Sequence, residues 1–501
     1  MTAFDRPWIL WIVVLHLGLV VAIGFWALRR TRTAKDFFIA GQDVGLLVTG
    51  LATMSASFSG FVFVGGPGLT YRMGLASLFI CLPVGFTAGL LCWAVAKRLR
   101  LLAEVREIYT VPDAILARFG SRWASGLAAV AVVVGSIGYL GAQFLALGVL
   151  IESLFGYALP VAMALGLAVV LVYAMAGGML AGVYTDLVQG VLMVFAAAAV
   201  FGYALDAGGG LGTMAKDLVA SEHFGPSFLD PLGRVPVFTA LGFFFVFGVG
   251  TLGQPHMLHK FYMLDDPRKL RWMPLLLGST QALCILIWLG IGLAIPALVA
   301  RGSLAPLDNP DDASPLFLLH HTPDLLAGLV FAGILAAIMS TVDSFVNIGA
   351  AALVRDLPKA LGRRVRNELL WGRLAVLGIA LLAVGLALSY RDLIALLGTF
   401  AFGTFAAALA PAVAIGLNWT RVPARAAVAS IGTGLGLNLL LEGLAKQTFF
   451  PFLPRPTFLL PGVLPSALSL AASFAVLLLI TRWSKDDGDP LPEDVRTVME
   501  L

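Results

Sequence analysis

Runs of about 20 or more apolar residues recur from one end of this chain to the other, and no other feature restricts its fold as much. A run of that length in a helical pattern reads as a segment that crosses the hydrocarbon core of a bilayer. Composition agrees: 59% of residues are hydrophobic, 12% are charged, and mean hydropathy is +0.93. A soluble domain usually carries about 25% charged residues. The expected fold is therefore an all-α polytopic membrane protein, and its setting the inner (plasma) membrane. The formal net charge of +4 is not a nucleic-acid signal, because basic residues collected in loops are what membrane topology demands. Cys81, Cys92 and Cys284 fall within apolar runs, where buried packing is the ordinary role.

Thirteen spans are expected, beginning near residues 8, 44, 74, 123, 158, 181, 236, 273, 325, 372, 391, 424 and 462. The first, from Trp8 to Leu28, is too long for the apolar core of a signal peptide and is followed directly by Arg29 and Arg30. Basic clusters follow the first span (Arg29, Arg30, Arg32, Lys35), the third (Lys97, Arg98, Arg100), the seventh (Lys260, Arg268, Lys269, Arg271) and the ninth (Arg355, Lys359, Arg363, Arg364, Arg366). All four clusters face the cytoplasm if the N-terminus lies outside and the C-terminus inside. The hydrophilic tail from Arg482 is too short to be a domain.

Two spans are interrupted. The second carries Ser55, Ser57, Ser59 and Gly60 near its middle, and the seventh carries Gly242, Gly248, Gly250 and Gly253 before Pro255. They lie five spans apart. Breaks in corresponding positions of two halves point to an inverted-repeat transporter with its site at the bilayer midplane. Gly and Ser also permit close helix packing, so either break alone has that plainer explanation. The expected organisation is an additional N-terminal helix and basic loop (1–35), a first repeat of spans two to six (36–206), an extracellular loop (207–235), a second repeat of spans seven to eleven (236–417), two peripheral helices (418–482) and a cytoplasmic tail (483–501). An odd number of spans per repeat places the halves in opposite orientation.

Carboxylates inside such spans are costly and call for a partner. Asp343 lies in the ninth span and Asp186 at the start of the sixth. On a helix Ser340, Asp343 and Ser344 share one face at i, i+3 and i+4, with Thr341 beside them. Hydroxyls and a carboxylate in one stripe, completed by carbonyls of an unwound helix, suit an alkali cation. Back-bonding of each hydroxyl to its own helix is the plainer alternative, but it leaves Asp343 without a partner. If Asp343 approached Asp186 with no cation between them, the two would share a proton, so proton coupling competes with sodium.

Four stretches carry a resemblance: "DFFIAGQDVG" from Asp36, "GGMLAGVYTDLVQG" from Gly177, "GQPHMLHKF" from Gly253 and "AAIMSTVDS" from Ala336. With the thirteen-span layout they resemble the sodium:solute symporter family. The resemblance implies a LeuT-type fold of two inverted five-helix repeats, each beginning with a broken helix. It implies sodium-coupled symport of a small organic solute, a monocarboxylate or amino-acid-like compound, by alternating access; proton coupling and a solute sensor of the same fold are the alternatives. It also implies a primary Na+ site from the carbonyls of Ser55, Phe58 and Ala337 with the hydroxyls of Ser340 and Thr341. A second cation or proton site would comprise Asp186, Ser340, Asp343 and Ser344. Ser57 departs from the family pattern, standing where proline carriers have an aspartate, which counts against proline as the solute.

Ser57, Gly60, Tyr139, Gln143, Phe247 and Gln254 are the expected solute contacts. No buried arginine or lysine is expected to clamp a carboxylate. The dinucleotide-like Gly248–Gly253 pattern lacks a strand–helix context, and His256 and His259, just before Lys260, are expected in a solvated or headgroup role. No zinc-protease or serine-elbow motif is present, so an enzyme is not expected. The partners are the solute and the lipid bilayer, with no nucleic acid and a monomer as the functional unit.

Overall fold

The computed structural model describes residues 6–30, 42–389, 393–446, 462–484 and 491–501, without the side chains of 27, 28, 30, 172–181, 369 and 446. Arg32 and Lys35 of the first basic cluster, and most of the "DFFIAGQDVG" stretch, lie outside the described residues. Among those described there is no β-strand, only an isolated bridge between Val44 and Leu264. The helices that matter for function are α1 (Pro7–Arg30), α2 (Leu46–Ser57), α3 (Gly66–Met73), α4 (Val84–Leu91), α5 (Arg122–Phe155), α6 (Leu159–Gly208), α7 (Val237–Gly248), α8 (Pro255–Phe261), α9 (Met273–Ala300), α10 (Asp324–Ala351), α11 (Glu368–Ser389), α12 (Ile394–Ala414), α13 (Ala424–Lys446), α14 (Pro465–Trp483) and α15 (Glu493–Glu500).

Ten helices among the described residues are long and apolar enough to cross a membrane, or eleven with the bent pair α7–α8. Two shorter apolar helices, Leu46–Ser57 and Leu159–Leu171, lie where the sequence reading has its second and fifth spans. The bundle is graded from centre to rim. In α10 with its continuation to Ala360, 83% of the most apolar window is buried, against 28% for α1 and 33% for α14. A bilayer offers no hydrophobic drive for helices to associate, so close packing and polar contacts must hold the centre together.

Both interrupted spans are broken, and each break has a local cause. After α2, Phe58 is extended (φ −105°, ψ 120°). The backbone N–H groups that a regular helix would send back four residues are captured elsewhere. Gly60 donates to Gln143 Oε1 at 3.0 Å, and Phe61 donates to the Ser59 hydroxyl at 3.2 Å. Val62 donates to the Ser59 carbonyl at 2.9 Å. The carbonyls of Ala56, Ser57 and Phe58 thereby lose their helical donors. The chain then resumes through a π-helical turn at Phe61–Gly65 and enters α3, with Pro67 in its first turn.

The second break lies between α7 and α8, which meet at a 41° bend. Gln254 is extended (φ −80°, ψ 102°), the conformation that the following Pro255 imposes on its predecessor. Gln254 Nε2 donates to Gly250 O at 3.2 Å and to Phe402 O at 3.1 Å, tying the break to α12. Gly253 permits this approach: a Cβ there would lie 2.5 Å from Ala410 N and 2.9 Å from Phe405 O, which are rigid backbone atoms.

Candidate functional site

The broken end of α2 meets the centre of α10. Ser55, Ser340 and Thr341 are all buried. Ser55 Oγ donates to Ser340 Oγ at 3.0 Å. Thr341 Oγ1 lies 2.9 Å from its own helix at Ala337 O and 3.5 Å from Ala56 O across the break. That back-bond uses the hydroxyl proton only; the lone pairs of the Thr341 oxygen remain available to a cation. Phe58 and Ala337 are likewise buried beside this contact. The residues implied as the primary sodium ligands are thus brought to the junction of two helices 285 residues apart in sequence.

A second polar cluster adjoins it. Asp343 Oδ1 accepts from Asn347 Nδ2 at 3.1 Å, and the same amide donates to the Asp343 carbonyl at 2.9 Å. Asp343 Oδ2 lies against Gly182, where a Cβ would collide with it. Asp186 Oδ1, Asp343 Oδ2 and Ser344 Oγ are buried with no hydrogen-bond partner in the structure. Unpartnered buried oxygens of this kind are costly unless a cation or proton meets them.

Asp186 is paired directly with Lys260, whose Nζ lies 2.7 Å from Asp186 Oδ2, with both side chains 1% exposed. Lys260 is therefore buried inside the helix bundle and is not a loop cation. Arg100 and Arg118 are buried too, away from the residues expected to contact the solute. Their guanidinium groups bind loop carbonyls: Arg100 donates to Leu264 O at 2.7 Å and Arg118 to Gly416 O at 2.7 Å. His256 and His259 are also buried, against the expected solvated role. The His256 ring packs on Phe345 at 4.4 Å between centroids and on Tyr139 at 5.9 Å.

Beside the α2 break lies a cavity of about 70 Å³, lined by parts of the second, third, fourth, seventh, eighth and eleventh spans. Ser57, Tyr139 and Phe247 line it, as the sequence reading expects. Gln143, Gly60 and Gln254 do not: their polar groups hold the two breaks in shape, as described above. The aromatic wall comprises Phe61, Phe247 and Phe402, stacked in series with centroids 5.5 and 4.4 Å apart, together with Trp288. Gln281 supplies a polar group that sequence reasoning missed; its Nε2 donates to Ser57 Oγ at 3.0 Å. Among the described residues lining the cavity, none is Asp, Glu, Lys or Arg.

Two broken helices, an oxygen-rich junction and an adjacent mid-bundle cavity define a cation-coupled solute transporter. The family model described as the sodium:solute symporter family matches residues 37–434, and the chain belongs to that family. Among curated relatives it is 30% identical over 450 residues to the osmoregulated proline transporter OpuE of Bacillus subtilis (strain 168), covering 87% of this chain and 90% of the relative. It is 28% identical over 443 residues to the sodium/proline symporter of Escherichia coli (strain K12), covering 86% and 87%. The fold is similar to the substrate-bound, outward-open Na+-coupled sialic acid symporter, with TM-score 0.75 and 17% identity over 95% of this chain and 98% of that one. It is also similar to the nucleobase-cation-symport-1 transporter Mhp1, with TM-score 0.55 and 13% identity over 94% and 99%. The protein is thus a LeuT-type, multi-pass plasma-membrane symporter that couples sodium to a small organic solute. It is not an enzyme.

Proposed function

We propose that the chain imports a proline-like amino acid or small monocarboxylate, with one Na+ held at the α2–α10 junction by the carbonyls of Ser55, Phe58 and Ala337 and the hydroxyls of Ser340 and Thr341. The observation that carries this reading is the Ser55–Ser340 contact of 3.0 Å beside the cavity. An ion there touches both the broken helix and the central one, so its binding favours the conformation in which they meet. A ligand shifts a conformational equilibrium only by such differential contact. Inverted repeats over 36–206 and 236–417, an outside N-terminus, an inside C-terminus and a monomeric working unit complete the proposal.

The solute meets an aromatic wall and a short polar edge of Ser57, Gln281 and Thr251. With no ionic side chain in the lining, a solute carboxylate is held by the broken-helix backbone and the nearby sodium. Relatives named as proline transporters support an amino acid of that size. Ser57, in place of the aspartate that the resemblance expects in proline carriers, leaves this part of the cavity wall without a negative charge. We therefore expect weaker selection for a cationic nitrogen, and monocarboxylates competing well.

Uptake into proteoliposomes under an imposed Na+ gradient tests the proposal, with proline and a panel of short monocarboxylates as solutes. Accumulation that collapses when Na+ is replaced by K+ supports it. Sodium-dependent binding without accumulation or counterflow would mean a sensor, and the transport reading would be wrong.

A further inference from the structure

Away from the solute cavity, a slot of about 300 Å³ runs between α1, α5, the first part of α6 and α10. Among the described residues lining it, Tyr157 is the only one whose side chain carries an oxygen or nitrogen. From α1 it is faced by one helical stripe, Leu10, Val13, Val14 and Leu17, at i, i+3, i+4 and i+7. On α5 the lining runs from Leu147 to Phe155, roughly 12 Å along the helix axis. The slot has a closed floor and an open side. Leu147, Val170, Leu335 and Met339 are buried, whereas Val14, Tyr157, Leu165 and Val169 are between 41% and 50% exposed.

We propose that this slot holds one acyl chain of a membrane phospholipid, inserted between α1 and the bundle with its methyl end at Met339. The open side belongs to membrane-spanning helices, so hydrocarbon and not water reaches it. A dry apolar void forfeits dispersion contacts along its walls, and one of about 150 Å³ already takes up benzene. This slot is about twice that size, and it is long rather than round. One end is marked by Tyr157 between α5 and α6 and by Trp8 and Trp11 of α1, all exposed. Aromatic side chains of this kind gather at the level of the lipid headgroups. Arg6 and Asp324, an ion pair at 3.2 Å, open α1 and α10 at the same end. The other end, at Leu335 and Met339, lies in the middle of α10. A chain of one leaflet crosses half of the hydrocarbon core, roughly 15 Å, and the slot takes up most of that length. A helix from a second copy, roughly 10 Å across, is too wide to enter.

The occupant sits next to the transport machinery. Met339 immediately precedes Ser340 and Thr341, so a chain seated on Leu335 and Met339 packs against the turn of α10 that carries the proposed sodium hydroxyls. It also fills the gap between the centre of the bundle and α1, the least buried of the spanning helices. The inference does not depend on which solute is carried.

The test places the full chain in lipid nanodiscs of phosphatidylethanolamine and phosphatidylglycerol. A trace of phosphatidylcholine is added with a diazirine at the end of one acyl chain. After illumination, labelled residues are located by mass spectrometry. Label is expected on the buried floor, at Leu147, Leu335 and Met339, with a yield at least equal to that on Leu381 and Leu382, which are exposed on α11. Val169→Trp and Val14→Phe fill the slot from two different helices. Each is expected to abolish labelling of the floor and to leave Leu381 and Leu382 labelled as before. The wild-type yields need no variant to fold. A floor labelled no more than Phe345 and Phe405, which are buried and do not line the slot, overturns the proposal. So does floor labelling that survives in both filled variants.

Discussion

Replacing Thr341 with valine isolates one oxygen of the proposed sodium site with little disturbance of packing. The two side chains are nearly the same shape, and Thr341 is fully buried in α10. The substitution deletes Oγ1, which donates to Ala337 O at 2.9 Å and lies 3.5 Å from Ala56 O. Loss of such an intrahelical bond costs about 1 kcal/mol of stability, a small loss in a bundle this size. The effect on sodium is larger. A neutral group bonded to a charge contributes about 1.5–3 kcal/mol, and each 1.4 kcal/mol is tenfold in affinity. Half-saturation by Na+ should therefore rise roughly 10- to 150-fold, with little change in uptake rate once sodium saturates.

Ser340→Ala should shift half-saturation at least as far, because the Ser340 hydroxyl also contacts Ser55 at 3.0 Å. Thr341→Ser keeps the oxygen and is the control. The assay is initial solute uptake against external Na+ at constant ionic strength and membrane potential, with folding checked by monodispersity in detergent. If Thr341→Val and Ser340→Ala both stay within about threefold of wild type, the hydroxyl stripe is structural and sodium binds elsewhere.

Two further outcomes concern contacts at the helix ends. Arg118 is buried and donates to the carbonyls of Gly416, Trp419, Thr420 and Val422, which close the segment after α12. Arg118→Met keeps the apolar stem but strands these acceptors, so thermal unfolding of the detergent-solubilised protein should show a loss of about 3 kcal/mol; an unchanged melting temperature contradicts this role. The tail helix α15 is held by a two-point contact of Arg106 with Asp494, at 2.6 and 2.8 Å, and its Val495, Val498 and Met499 are buried. The Arg106 hydrogen bonds hold the Asp494 carboxyl below the ordinary aspartate range. A depressed carboxyl stabilises docking at all pH values above its free value of about 4 and loses that contribution as pH falls through the lowered value. Amide exchange across 493–500 should therefore be slow and pH-insensitive between pH 6 and 8 once corrected for intrinsic rates. It should speed up in Arg106→Gln and in high salt, and equal exchange in wild type and variant contradicts the contact.

What the sequence disclosed depended on whether a signal lay within one helix or between two. The Ser340–Asp343–Ser344 stripe is a matter of helical spacing, and on α10 its Ser340 meets Ser55 of α2 while Asp343 lies against Gly182 of α6. Pro255 fixes Gln254 as extended by local sterics alone, so the second break was legible as well. Gln281 was not, because its partner Ser57 is 224 residues away and nothing local marks a glutamine in an apolar helix as lining a cavity. Lys260 is the instructive failure. The topology rule assigns a lysine at the end of an apolar run to the cytoplasmic loop, and here that rule competes with another, that an intramembrane acid needs a partner. The break at Gln254 decides between them. Because α8 begins anew at Pro255, the residues up to Phe261 form a buried half-helix, and a cation at position 260 is delivered into the bundle. A broken span thus shifts the boundary at which charge stops reporting orientation and starts serving the site. In such chains the acids and bases within one turn or two of each break should be paired with one another before any of them is assigned to a loop.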